Sequence, residues 1–243
     1  MSSGVHFLSS RPAIDRLIRS SGVGAGDLVI DFGAGPGAIT EPLSRTGSRV
    51  LAVERDERFV QALRRRFADR PQVRVVHDDL RRVRLPRRDF AVVANVPFGV
   101  STPLLRRLLT PVPGRLVRAD LVVEWGLAKR LTARPRSREQ AWWAARFDLR
   151  LVRRVPAGCF RPAPSVDAAH LSIRRRSAVD TRTLAILWTL LGAVEGRPGI
   201  ESLVSHRMAT RFLKVHSGWL ALATALAREP SVSAPPLPKS LRE

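Results

Sequence analysis

Asn95, Pro97 and Phe98 lie in an eight-residue stretch, Asn95-Val96-Pro97-Phe98-Gly99-Val100-Ser101-Thr102, that directly follows the apolar run Phe90 to Ala94. The run has the length and composition of a short buried strand. Proline then fixes φ and cannot donate to a ladder, so the chain must leave the strand at that point. An Asn amide, neighbouring backbone carbonyls and an aromatic ring are thereby presented together at a strand's carboxyl end, the edge at which open α/β sheets bind ligands. The chemistry this suits is methyl transfer to the exocyclic amino group of a flat, conjugated base. The lone pair of such a nitrogen is delocalised into the ring, which makes it a poor nucleophile. Acceptors from Asn95 and the backbone near Pro97 can take its two hydrogens and draw the nitrogen towards tetrahedral geometry while Phe98 stacks on the base. The same eight residues also describe a strand, an ordinary Pro turn and a core Phe, so the rest of the chain decides between them.

Upstream, Leu28 to Phe32 reads as a buried strand of the parallel type. It runs into Asp31-Phe32-Gly33-Ala34-Gly35-Pro36-Gly37, then a helix from about Ala38 to Arg45. Spaced glycines let backbone approach a ligand closely at a helix N-terminus. A second strand, Arg49 to Val53, ends in Glu54, about where an acid meets a ribose in nucleotide-binding βαβ units. A third, Val73 to His77, ends in the doublet Asp78-Asp79. There is no Gly-Lys-Ser/Thr phosphate loop, and Asp-x-Gly-x-Gly-x-Gly differs from the dinucleotide Gly-x-Gly-x-x-Gly. The spacing resembles instead the first motif of S-adenosylmethionine-dependent methyltransferases. That resemblance implies S-adenosylmethionine as cofactor, with Asp31 near its methionine moiety and Gly33 and Gly35 beneath it. Glu54 and the adjoining Arg55 are then expected at the ribose, and Asp78 or Asp79 at the adenine amino group.

Composition narrows the partner. The 243 residues carry a formal charge of +21 and a pI near 11.8, which points to a polyanion, most simply nucleic acid. Of the 42 basic residues only 3 are Lys, a bias that a GC-rich genome can produce without creating net charge. The excess is uneven: residues 1–100 hold 17 basic and 11 acidic groups, residues 101–176 hold 17 and 5, and residues 181–243 hold 8 and 4. The basic loop Arg134-Pro135-Arg136-Ser137-Arg138 lies in the middle, most charged segment, and Arg134 and Arg136 are candidates to lie on phosphates. One cysteine, Cys159, allows no internal disulfide or thiolate metal site, and the five histidines lack metal-ligand spacing, so no metal is expected. No apolar run approaches the ~18 residues of a membrane span, and the start lacks a signal-peptide pattern, so a soluble, cytoplasmic, monomeric protein is expected.

Several motifs together resemble one family. Asn95 to Thr102 is similar to the Asn-Ile/Leu-Pro-Tyr/Phe…Ser-Thr motif of the Erm family and its relatives, the 16S rRNA adenine dimethyltransferases. His6-Phe7-Leu8, Trp142-Trp143…Arg146-Phe147 and Phe160-Arg161-Pro162-Ala163-Pro164-Ser165-Val166-Asp167 follow the pattern in order, over roughly residues 5 to 176. Val5-His6 replaces the Gln-Asn often seen before Phe-Leu, and Phe98 replaces a Tyr; stacking survives the second change. The resemblance implies cofactor contacts from His6 and Leu8, and a second aromatic, Phe160, opposite Phe98 around a flipped adenine. It also implies a fold: a Rossmann-like α/β methyltransferase sheet with a small all-helical C-terminal domain.

The expected organisation is a catalytic domain over 1–176, a helical domain over 177–228 with helices near Thr183 to Val194, Ile200 to Phe212 and Trp219 to Ala227, and a Pro/Ser-rich disordered tail over 229–243. The function the resemblance implies is methylation of one adenine in protein-free 23S rRNA, conferring macrolide-lincosamide-streptogramin resistance. The Trp-Trp segment and compact helical end favour it over 16S rRNA dimethylation. A methyltransferase-like nucleic-acid-binding factor without turnover, and a methyltransferase for a small molecule or protein amide, remain as other classes.

Overall fold

The computed structural model describes residues 6–176, 179–195, 199–205, 208–209 and 218–242. The N-terminal segment is a two-residue strand β1 (Phe7–Leu8) followed by helix α1 (Arg11–Ser21). Two βα steps and a third strand follow: β2 (Leu28–Phe32), α2 (Thr40–Ser44), β3 (Arg49–Glu54), α3 (Glu57–Arg66) and β4 (Val73–His77). The chain then crosses to β5 (Phe90–Asn95), α4 (Ser101–Leu109) and β6 (Leu116–Glu124). Helices α5 (Trp125–Thr132) and α6 (Arg138–Arg146) lead into the long strand β7 (Phe147–Val155), the short β8 (Phe160–Arg161) and β9 (Ala168–Arg175). Beyond them lie α7 (Thr181–Leu190) and α8 (Trp219–Ala227).

Seven strands form one sheet in the order β4-β3-β2-β5-β6-β9-β7. β4 to β6 pair in parallel, and β9 joins β6 antiparallel, with Val122 opposite His170. The sheet is therefore mostly parallel with helices on its faces, the Rossmann-like arrangement expected. Every residue of β2 and the first five of β5 are buried, which is why both are apolar apart from the buried Asp31: a central parallel strand is covered on both faces. The order reverses beside β2, so the loops after β2 and β5 open onto the same edge.

Contacts divide the chain into two compact units. The first comprises Met1–Leu109, Gly114–Ala133 and Leu149–Arg175; the second comprises Thr110–Pro113, Arg134–Asp148 and Arg176–Glu243. Within the second, Trp142 and Trp143 are buried and their indole N–H groups donate to the carbonyl and hydroxyl oxygens of Thr110, both at 3.0 Å. They are packing residues. Ser137 caps α6 and Asp180 caps α7 by accepting from backbone N–H groups. Of the helix expected over Ile200 to Phe212, residues 206–207 and 210–212 lie outside the described residues; Ile200–Ser202 is a 3-10 turn, and residues 203–205 are not helical. Residues 229–242, for which Pro/Ser content suggests disorder, instead bury Val232, Leu237 and Leu241, and the Leu241 carbonyl accepts from Val112 N–H. Three well-spaced aliphatic side chains are enough to fold that segment down. Among the described residues no helix is long and apolar enough to cross a membrane.

Candidate active site

At the edge where the loops after β2 and β5 meet lies a cavity of about 510 Å³. His6, Gly33, Glu54, Arg55, Asp78, Asp79, Asn95 and Pro97 all border it, so residues from five separate stretches converge there.

The glycine turn forms one wall. Gly33 N–H donates to Val53 O at 2.8 Å, and Gly35 N–H donates to Glu54 Oε2 at 2.8 Å. Gly35 has φ +50°, and a Cβ there would lie 2.6 Å from Cε1 of Phe7. Only glycine lets the turn close under that ring. Glu54 Oε1 accepts from the N–H groups of Arg55 and Asp56, both at 2.8 Å. The carboxylate is thus held by three backbone N–H groups at the end of β3, where Glu54 borders the cavity.

The Asp doublet is resolved by its neighbours. Asp79 is gripped in a fork by Arg81, whose Nη2 lies 2.5 Å from Oδ2 and whose Nε lies 3.0 Å from Oδ1. Hydrogen bonding to Arg81 holds its carboxyl well below the usual range. Asp79 O also accepts from the N–H groups of Arg82 and Val83, closing a turn. Among the described residues no arginine forks Asp78, although the Arg107 charge acts on it; its Oδ1 accepts the N–H of the next residue at 2.7 Å. Both border the cavity, but Asp78 is the one with an oxygen, Oδ2, not engaged by a guanidinium. Sequence alone could not separate them, because the discriminating partner is a side chain two residues on.

Asn95 ends β5. Its Nδ2 donates to the backbone carbonyl of His6 at 2.7 Å, which fixes the amide orientation and leaves Oδ1 as the available acceptor. His6 thus acts through its main chain, so replacement of the family's Asn at this position costs little; its ring Nδ1 meets Pro162 O at 2.9 Å. The carbonyl of Pro97 already accepts from Val100 N–H at 3.0 Å and Ser101 Oγ at 3.2 Å. It is spent on the turn, and Pro97 shapes the loop instead of polarising a substrate. Phe98 is half-buried with its ring centroid 6.0 Å from that of His6.

Three expectations change in the folded chain, those for Phe160, Leu8 and Asp31. Phe160 is 0 % exposed inside the core cluster that contains Leu8. Its ring has no face free for a base. It sits opposite Leu8 in the antiparallel pair of β1 with β8, and Ser9 and Ser10 N–H both donate to Cys159 O. The motif Phe160 to Asp167 therefore clamps the N-terminal segment. Leu8, likewise, is core and does not border the cavity. The expectation for Arg134 and Arg136 does not change: both are exposed, in the second compact unit. Asp31 is 1 % exposed beneath the glycine turn, where its Oδ2 accepts from Thr40 Oγ1 at 2.6 Å. It positions the start of α2 and does not border the cavity.

Burial pushes the Asp31 carboxyl up to about 7, with nearby Glu54 adding to the rise and the Thr40 hydroxyl opposing it. An acid raised in the folded state destabilises as it ionises. Below pH ~4 both folded and unfolded chains hold the proton and nothing is lost; stability then falls as pH rises to about 7 and stays lowered above that. At 1.36 kcal/mol per unit the loss is at most about 4 kcal/mol. Asp31→Asn, which keeps the acceptor for Thr40, is expected to melt several degrees above wild type at pH 8.5 and equal to it at pH 4. A gap independent of pH would contradict the assignment.

Sequence reasoning also missed Phe7 and Phe59, whose rings meet edge-on at 5.3 Å on the cavity's rim. Phe59 fits the inner-face pattern of α3, but it lies at the helix's first turn, beyond the core. Arg107 was missed too: its guanidinium donates to Leu80 O and Val83 O, pinning the loop after Asp79.

Comparison with known proteins gives the family and the fold. Residues 1–191 match the family model for ribosomal RNA adenine dimethylase. An rRNA adenine N-6-methyltransferase of Bacillus licheniformis is 33 % identical over 175 residues, 72 % of this chain. That match spans 61 % of the relative's own length. Ribosomal RNA small subunit methyltransferase A of Phenylobacterium zucineum is 34 % identical over 96 % of this chain and 90 % of its own. The fold matches the crystal structure of 23S rRNA methyltransferase ErmE with a TM-score of 0.77, at 23 % identity, covering 91 % of this chain and all of that one. The chain belongs to the ribosomal RNA adenine dimethylase family.

Proposed function

We propose that this protein methylates the exocyclic amino group of one adenine in 23S rRNA, using S-adenosylmethionine, and thereby confers macrolide-lincosamide-streptogramin B resistance. The observation that carries the methyltransferase reading is Asn95, locked by His6 O so that Oδ1 is the acceptor at the rim of a cavity bordered by Glu54 and Asp78. The residues present fit the cofactor. The Glu54 carboxylate, held by three backbone N–H groups, suits a ribose diol, and Asp78 suits an amino group. When bound, the cofactor supplies an electrophilic methyl group.

The chain's own part is positioning and polarisation. Asn95 Oδ1 and the carbonyl of Val96, the next backbone acceptor along the loop, take the two amino hydrogens, and Phe98 offers a face to the base. A base edge inside a duplex is out of reach, so the adenine must be unpaired or extruded. The proton can leave after transfer, and no general base is needed.

The Erm pattern, with the Trp142-Trp143 segment and the compact helical end, supports 23S rRNA as target. The small-subunit relative that aligns over 96 % of the chain favours 16S rRNA as the second reading. We further infer action as a monomer on protein-free rRNA in the cytoplasm. The test is incubation of deproteinised 23S and 16S rRNA with enzyme and radiolabelled S-adenosylmethionine, followed by primer-extension mapping. One adenine stop in the macrolide-binding region of 23S rRNA is the expected result. Label confined to 16S rRNA would move the target to the small subunit. Label in neither, with cofactor bound, would favour a binding factor or a non-RNA substrate.

A further inference from the structure

Within the second compact unit lies another cavity, of about 740 Å³, that the reading above does not use. That volume falls within the ~300–1,000 Å³ typical of small-ligand pockets. Ala141, Ala144 and Ala145, three positions that share one face of α6, form its floor. Methyl groups there leave a hollow where larger side chains would close it. Trp219, the first residue of α8, stands at the wall 39 % exposed. Arg134, Arg136 and Arg176, all exposed, complete the lining. Arg176 Nε donates to Ala144 O at 3.4 Å, which ties that guanidinium to the floor. Among the described residues none of the three arginines has an acidic partner. The hollow thus combines an apolar floor, an open aromatic face and three uncompensated cations.

Resting on the rRNA reading, we propose that this hollow holds an unpaired nucleotide of the RNA substrate, with its base on Trp219 and the flanking phosphates on Arg134, Arg136 and Arg176. The charge selects the occupant. A peptide or a second copy of this basic chain would have to bring acidic groups against the three arginines, whereas a nucleotide brings phosphate on each side of a flat ring. Base–aromatic stacking tolerates any base and needs one that is unstacked, so the site anchors a single-stranded stretch and does not choose the methylated adenine.

The experiment uses the full chain and a short, uridine-only oligoribonucleotide carrying one 5-iodouridine. With no adenine, this probe cannot act as methyl acceptor. Trp219→Ala is expected to weaken its binding about tenfold, and Trp219→Phe to retain most of the affinity. Replacing all three arginines by Ala should lower the log–log salt slope by about 2, at ~0.7 per phosphate on a single strand. Photocrosslinking should map to Trp219. With full-length rRNA, Trp219→Ala and the arginine variant should raise KM and leave kcat near wild type, with Trp219→Phe close to wild type in both. Melting temperatures equal to wild type would certify the fold of each variant. Unchanged affinity in Trp219→Ala together with an unchanged salt slope in the arginine variant would overturn the proposal, as would a crosslink elsewhere or a concentration-dependent dimer that Trp219→Ala dissolves. If the wild type binds the oligonucleotide at Trp219 but methylates no rRNA, the functional reading fails and this site stands. If rRNA is methylated with wild-type KM by every variant, the reverse holds.

Discussion

Asn95→Ala is expected to lower the single-turnover rate of methyl transfer by at least about 10³-fold while cofactor affinity stays near wild type. The substitution removes two things at once. Oδ1 is lost as an acceptor at the point where the amino nitrogen must rehybridise. The Nδ2 bond to His6 O is lost as well, so the loop after β5 is no longer tied to the N-terminal segment. Donors and acceptors aimed at developing charge are commonly worth 10²–10³-fold each, and loosening the loop adds to that. Glu54 and the glycine turn, which hold their own backbone bonds, are untouched. Asn95→Asp separates the two effects: it keeps an acceptor but puts an oxygen opposite the His6 carbonyl. If Asp restores much of the rate, polarisation dominates; if Asp is as dead as Ala, the tether dominates. A near-wild-type single-turnover rate for Asn95→Ala would remove the residue from the mechanism.

Gly35→Ala is expected to weaken cofactor binding about a hundredfold. A side chain at φ +50° sits in the left-handed region, at a cost of roughly 1–2 kcal/mol. Its Cβ also lies 2.6 Å from the Phe7 ring, which is itself braced by Phe59. Forcing that contact costs roughly 1–3 kcal/mol. The free turn can relax by moving Gly35 N–H away from Glu54, and binding must then drive it back. About 3 kcal/mol recovered in this way corresponds to a hundredfold in Kd. The Phe7→Ala background removes the clash but keeps the unfavourable φ, so the same substitution there should cost only about tenfold. Titration calorimetry on the four proteins of this cycle measures both terms. Equal affinities for wild type and Gly35→Ala would mean the turn is not part of the cofactor's floor.

Local patterns carried far in this chain. The runs at 28–32 and 90–94, apolar but for Asp31 and each ended by a turn or proline, belong to central parallel strands because a strand covered on both faces is apolar on both. Strand β7 and helix α8 have the bounds their residue patterns imply. The glycine turn, Glu54, the Asp doublet and Asn95 were legible as a set, since each ends a strand on the same edge of the sheet. Charge was legible as a total but not as an assignment. Arg107 spends its guanidinium on loop carbonyls, Arg81 on Asp79 and Arg174 on the buried Asp120, so a basic composition does not say which arginines are free for phosphate.

The sequence by itself determined the sheet, the cavity's edge and the family, because those follow from periodicity, glycine and proline stereochemistry, and motifs read within a few residues. Only the tertiary structure decided what each motif residue does. His6 meets Asn95 across 89 positions and Pro162 across 156, and no local pattern encodes a contact over such separations. Phe98 and Phe160 are the same residue type in similar proline-rich loops. One ring is left half open beside His6, and the other is sealed in the core by Leu8. The difference is packing: the Phe160 ring is covered on all sides, whereas Phe98, which packs on the same core cluster and does not itself border the cavity, keeps part of its surface open.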